Sequence, residues 1–138
     1  MGILKKMFGG GNPPPAPAPT PAPAPATIRE ISAEDLKSRL GRGEDVVVVD
    51  MRQPWEYESG HISRAIHMFA NDIPGRMNEL PRDKDVVFQC WHGNTSRGAA
   101  MYLVENGWPA ERIASLIGGI SGWLDSHGPA SLVKDANP

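Results

Sequence analysis

The sequence predicts an α/β domain built on a mostly parallel, five-stranded central sheet flanked by helices. Val46 to Val49 and Val86 to Phe88 are short, uninterrupted apolar runs, as expected of strands buried on both faces. Strand-like and helix-like stretches alternate along the chain, which favours parallel pairing. The one cysteine, Cys90, ends the second apolar run and opens a glycine-containing loop before a helix-like stretch. In open α/β sheets the functional crevice lies beyond the strand carboxyl ends, where this thiol falls.

The elements follow in order. Residues 1–12 are expected as a flexible tail with a short amphipathic start, Ile3-Leu4-Lys5-Lys6-Met7-Phe8, and glycines at 9–11 as a swivel. Residues 13–26 are rich in Pro and Ala; proline fixes φ and lacks an N–H, so this stretch predicts an extended spacer reaching on the order of 40 Å. The folded domain is expected over residues 27–129, with a C-terminal tail over 130–138. Residues 28–31 form a first strand, and Ser32-Ala33-Glu34-Asp35 is a capping signal for a helix ending near Gly41. Residues 46–50 are a central strand, 65–68 a short strand, and 72–80 an irregular helix broken by Pro74 and Gly75. Residues 85–89 feed the cysteine loop, and 96–106 form a helix stopped by Gly107. A strand over 114–117 and a helix over 120–126 complete the domain before Gly128-Pro129.

Composition narrows the function. The chain has 138 residues and a formal net charge of -2; without Lys5 and Lys6 it carries twelve basic against sixteen acidic residues. That balance leaves no electrostatic footprint for nucleic acid. One cysteine excludes an intramolecular disulfide and Cys-X-X-Cys chemistry, and no Cys/His cluster has zinc-ligand spacing, so neither metal nor cofactor is expected. No stretch is apolar enough to span a membrane, and the start lacks the apolar region of a secretory signal, so a cytoplasmic location is expected. Lys6 stands where the myristoylation pattern needs Ser or Thr. Residues 1–8 could still make a weak contact with a membrane surface or a partner groove.

Cys90 has two readings: a buried structural thiol, or a nucleophile activated by loop N–H groups and the positive end of the following helix. Three segments bear on the choice. Asp50-Met51-Arg52-Gln53-Pro54-Trp55-Glu56-Tyr57-Glu58-Ser59-Gly60-His61-Ile62 resembles the D-x-R-x-x-x-E-[FY]-x-x-G-H-I signature of rhodanese-type sulfurtransferases. Cys90-Trp91-His92-Gly93-Asn94-Thr95-Ser96 resembles their active-site loop, closest to that of the small single-domain bacterial thiosulfate sulfurtransferases. Gly118-Gly119-Ile120-Ser121-Gly122-Trp123 resembles their closing G-G-x-x-x-W segment.

The resemblance implies a rhodanese-like fold and sulfane-sulfur transfer through a Cys90 persulfide, from thiosulfate or a similar small donor to cyanide, a thiol or a protein acceptor. Trp91, His92, Gly93, Asn94, Thr95, Ser96 and Arg97 are the implied anion-binding loop. Gly93 lets the backbone curl around the sulfur, Thr95 and Ser96 add hydroxyl donors, and Ser96 is also placed to cap the helix. Trp91 supplies an apolar wall. For His92 a substrate contact and a plain backbone hydrogen bond are both open, and Arg97 either draws an anion or faces solvent. Asp50, Arg52, Glu56 and His61 are expected as structural support and Trp123 as core.

One departure bears on the substrate. Many rhodaneses carry arginine at the sixth loop position, which is Thr95 here, so binding of a small dianion is expected to be weakened. Cysteine phosphatases need an arginine six residues after the cysteine for a bidentate phosphoryl clamp, and that position is Ser96. A non-catalytic docking or sulfur-relay module, tethered by the proline spacer, is the alternative of a different class.

Overall fold

The computed structural model describes residues 28–134. The expectations for residues 1–12 and 13–26, and for the last four residues, lie outside the described residues.

Five strands form one sheet: β1 (Arg29–Ile31), β2 (Val46–Asp50), β3 (Ile66–His67), β4 (Asp85–Gln89) and β5 (Ile113–Leu116). They are ordered β1-β5-β4-β2-β3, and every pairing between them is parallel. β4, which delivers Cys90, is the central strand. Its neighbours are fixed by the ladders Val46–Asp50 against Asp85–Gln89 and Val86–Phe88 against Ile113–Ser115.

The helices are α1 (Ala33–Gly41), α2 (Pro54–Ser59), α3 (Ile73–Arg76), α4 (Asn94–Glu105) and α5 (Gly119–His127). Because strand side chains alternate, the sheet sends apolar groups to both faces. On one face Val46, Val48, Val87 and Leu116 pack with Leu36 of α1 and Ile120 and Trp123 of α5. On the other, Val49, Phe88 and Ile113 pack with Ala99, Ala100 and Leu103 of α4 and Ile73 of α3. The expected role of Trp123 as core holds.

Several boundaries differ from expectation for definable reasons. Ser32 caps α1 as its signal implied, its hydroxyl accepting from the Asp35 N–H at 3.0 Å. The segment expected as one irregular helix over 72–80 is the single turn of α3 between two 3-10 turns, because Pro74 and Gly75 prevent a longer one. α2 has no counterpart in the sequence reading. Six residues give too few apolar positions for a period, yet Pro54 sits in its first turn and the Glu56 carboxylate accepts from the Gln53 N–H at 2.9 Å. The chain also keeps packing past residue 129. His61 and Val133 exchange two backbone hydrogen bonds of 2.8 Å, and Leu132 lies against the core, so residues 130–133 join the domain.

At the end of β2, the Asp50 carboxylate is fully buried and receives the Arg52 guanidinium at 2.8 Å and the Arg52 backbone N–H at 3.0 Å. The same guanidinium donates to the Gly60 carbonyl at 2.7 Å, tying the start of the β2–β3 connection to its middle. Removing one partner of such a pair strands the other charge in the interior. Asp50→Ala is therefore expected to lower unfolding free energy by about 3–5 kcal/mol in urea titrations.

Candidate active site

Cys90 follows the last residue of β4, and three residues, Trp91, His92 and Gly93, separate it from α4. The helix thus starts at Asn94, two residues before the expected Ser96. Gly93 is the N-cap residue, with φ 95°, and carries no side chain to satisfy the first-turn N–H groups. The Cys90 sulfur takes that place: Sγ accepts the Gly93 N–H at 3.2 Å and the Ser96 N–H at 3.3 Å. The expected capping role of Ser96 is corrected. It lies inside the first turn, and its hydroxyl sits 3.4 Å from Sγ and 2.7 Å from the buried Ser115 hydroxyl of β5.

The loop carbonyls point the other way. Cys90 O accepts the Ile120 N–H at 2.8 Å, and Trp91 O accepts the Ser121 N–H at 2.9 Å. The N-terminus of α5 is thereby satisfied by the cysteine loop. This needs close backbone approach: Gly119 has φ 58°, and a Cβ there would lie 2.3 Å from the Cys90 carbonyl oxygen. The glycine pair 118–119 thus has a defined mechanical role. It lets α5 hold the loop with its carbonyls outward and its amides on the sulfur.

Electrostatics follow from that arrangement. Burial pushes the Cys90 thiol up, but the Ser96 hydroxyl and the N–H groups of Ser96, Gly93 and His92 together outweigh it and hold the thiol below its usual range. Donors already aimed at the sulfur stabilise an anion there without reorganisation.

Sγ borders a pocket of about 300 Å³ lined by Met51, Arg52, Gln53, Glu56, Phe69, Ala70, Trp91, His92, Asn94 and Thr95. Trp91 lines the pocket, its indole N–H donating to the Glu56 carboxylate while the Arg52 guanidinium carbon lies 5.3 Å from its ring centroid. Arg52 and Glu56 therefore support the site and line it. His92 is exposed at the rim; Asn94 and Thr95 are exposed in the first turn of α4. The hydroxyl that reaches the sulfur is that of Ser96, where both Thr95 and Ser96 were expected. Arg97 is not brought into the pocket: it faces out, 3.7 Å from Glu30 of β1. His61 is fully buried, stacked on Tyr57 at 3.8 Å with Nδ1 2.8 Å from the Tyr57 carbonyl, a structural position outside the pocket lining. Ser115, Met51, Phe69 and Ala70 were missed by the sequence reading. A serine within the apolar strand Ile113–Leu116 was the one available signal.

The alkylation rate of Cys90 should show a pH midpoint below that of a free thiol, ~8.5, and Ser96→Ala should move it upward and slow alkylation at pH 7 several-fold. With the folded thiol ionising below the unfolded one, stability should rise with pH between the folded value and ~8.5 and be lost as pH falls through the folded value; Cys90→Ala should flatten that slope. Gly119→Ala should cost at least about 2 kcal/mol in urea melts, combining left-handed strain with the clash. Gly43→Ala, at φ 73° with nothing within 4 Å of its Cβ, isolates the strain alone and should cost less.

Comparison with known proteins agrees with this geometry. Residues 32–126 match the family model for the rhodanese-like domain. The chain is 42% identical over 101 residues to a protein of Allochromatium vinosum named sulfurtransferase, covering 73% of this chain and 92% of that protein. A rhodanese-related protein from Thermoplasma volcanium superposes with a TM-score of 0.68 at 30% identity, over 78% of this chain and 100% of that one. A rhodanese-like domain protein from Staphylococcus aureus gives 0.69 at 25% identity, over 79% of this chain and all of the other. On the matched span, the sheet order and the sulfur-capped helix, the chain belongs to the rhodanese-like domain family.

Proposed function

We propose that this protein is a sulfurtransferase that carries sulfane sulfur on Cys90 as a persulfide. The observation that supports this most is the placement of Sγ, held by the Gly93 and Ser96 amides on one side and open to the pocket on the other. The Allochromatium relative, named a sulfurtransferase, supports the same reaction class.

In the first half-reaction the Cys90 thiolate attacks the outer, sulfane sulfur of the donor. A new S–S bond forms to Sγ, the donor's S–S bond breaks, and the leaving group departs with the electron pair. With thiosulfate that leaving group is sulfite. In the second half-reaction a thiophile, cyanide or a thiol, attacks the outer persulfide sulfur and returns Cys90 as thiolate. Neither half needs an external oxidant or reductant. The persulfide is itself an anion beside the same amides, so the cradle that lowers the thiol's proton affinity also steadies the intermediate. The tryptophan wall makes the pocket poorer for water and better for a soft sulfur nucleophile. The acceptor is proposed as a small thiol or a protein thiol, and the compartment as the cytoplasm.

The direct test is intact-protein mass spectrometry after incubation with thiosulfate or an organic thiosulfonate. A mass gain of one sulfur atom, removed by cyanide and absent in Cys90→Ser, is the expected result. A protein that acquires no cyanide-labile sulfur from any of these donors is not a sulfurtransferase. Partner binding that is indifferent to Cys90→Ser, in a chain that accepts no sulfur, would mark a docking module instead.

A further inference from the structure

A second hollow of about 320 Å³ runs on from the cysteine pocket and shares Met51, Ala70 and Thr95 with it. Beyond those residues its walls are Ile73 and Pro74 of α3 and Gly98, Ala99 and Tyr102 of α4. No lining residue carries a charge. It is open where Gly98 stands: a Cβ built there meets nothing within 4 Å.

The charges around Cys90 bear on what enters. The pocket lining holds one guanidinium, Arg52, already committed to the Asp50 carboxylate and the Gly60 carbonyl, and one further carboxyl, Glu56. Thr95 occupies the sixth loop position, and Arg97 is turned toward Glu30 with 59% of its side chain exposed. A dianion in this pocket meets no uncommitted guanidinium or ammonium among the described residues that line it. A donor with a single negative charge needs less compensation than a dianion. An apolar group on that donor has the adjoining hollow to fill.

Resting on the sulfur-transfer reading, we infer that the hollow between α3 and α4 is a subsite for the organic group of a singly charged sulfane donor. The probes are organic thiosulfonates, R–SO2–S⁻. Cys90 thiolate attacks the outer sulfur, the S–S bond to the sulfonyl sulfur breaks, and R–SO2⁻ leaves as sulfinate with the electron pair. Charge and atoms balance, with one anion consumed from each reactant and one carried by each product. A phenyl group seated in an apolar hollow is worth on the order of tenfold or more in kcat/KM over a methyl group.

The test compares benzenethiosulfonate with methanethiosulfonate on the full chain. Each ratio is divided by that of the uncatalysed reaction of the same donors with cyanide, which removes the difference in leaving groups. The expected corrected preference for benzenethiosulfonate is about tenfold or more, and thiosulfate should be the poorest of the three. Gly98→Leu puts a side chain into the hollow while improving helix propensity, and should bring the preference toward one. Tyr102→Ala, which removes a wall, should reduce it as well and serves if the leucine variant does not fold. Transfer from both thiosulfonates with a native preference near one would overturn the subsite and leave sulfur transfer standing. An unchanged preference in folded Gly98→Leu would also overturn it. Transfer from none of the three donors would instead overturn the sulfur-transfer reading itself.

Discussion

A thiol sulfur does the work of a helix cap in this protein, and the rest of the site is arranged around that substitution. First-turn amides of an α-helix lack intrahelical acceptors and must be satisfied from outside. In α4 the cap residue is a glycine, and the acceptor is Cys90 Sγ, brought there by β4. The interaction is reciprocal. The sulfur satisfies the helix, and the helix favours negative charge on the sulfur. A sulfur that is capped this way is fixed in position as well as activated.

That arrangement depends on the loop being held from behind. Two loop carbonyls serve as caps for α5, and the contact is so close that a single Cβ at Gly119 would collide with the Cys90 carbonyl. The two helix starts therefore share one three-residue connection: α4 through the sulfur, α5 through the carbonyls. Across the pocket, the Asp50–Arg52 pair braces the turn after β2, and Glu56 of α2 fastens Trp91 through its indole N–H. Met51 and Ala70 are stitched to each other and to β4 by backbone bonds, Met51 N–H to Gln89 O at 3.0 Å and Ala70 N–H to Met51 O at 3.2 Å. Met51, Arg52 and Ala70 are thus tied to the ends of β2 and β4, which fixes that side of the pocket on the sheet.

The parts of this legible in the sequence are those in which local chemistry and fold agree. The β-branched runs at Val46 and Val86 announced the central strands, Ser32 announced its helix, and Cys90 at a strand end announced the crevice. What was hidden depended on residues distant in sequence. Asn94 and Thr95 read as loop because a helix start is sought through a neighbouring side-chain cap, and here the cap is a sulfur three residues before the glycine. Ser96 then passed for the cap it lies beyond. Ser115 reads as one more strand residue until β5 sets it behind Ser96. Arg97, adjacent to the motif, is rotated by the helical period toward Glu30 and away from the pocket. The segment through Val133 passed for tail because its two hydrogen bonds go to His61, seventy-two residues earlier.

If Cys90 Sγ caps α4, the amides of Gly93 and Ser96 sense the charge of the sulfur directly. Amide chemical shifts followed by NMR as pH is raised test it most directly. Gly93 and Ser96 should move together with one midpoint below ~8.5, the free-thiol value, and this movement should vanish in Cys90→Ser. Amides that stay still through the thiol's ionisation, or a common midpoint at or above the free-thiol value, would contradict it.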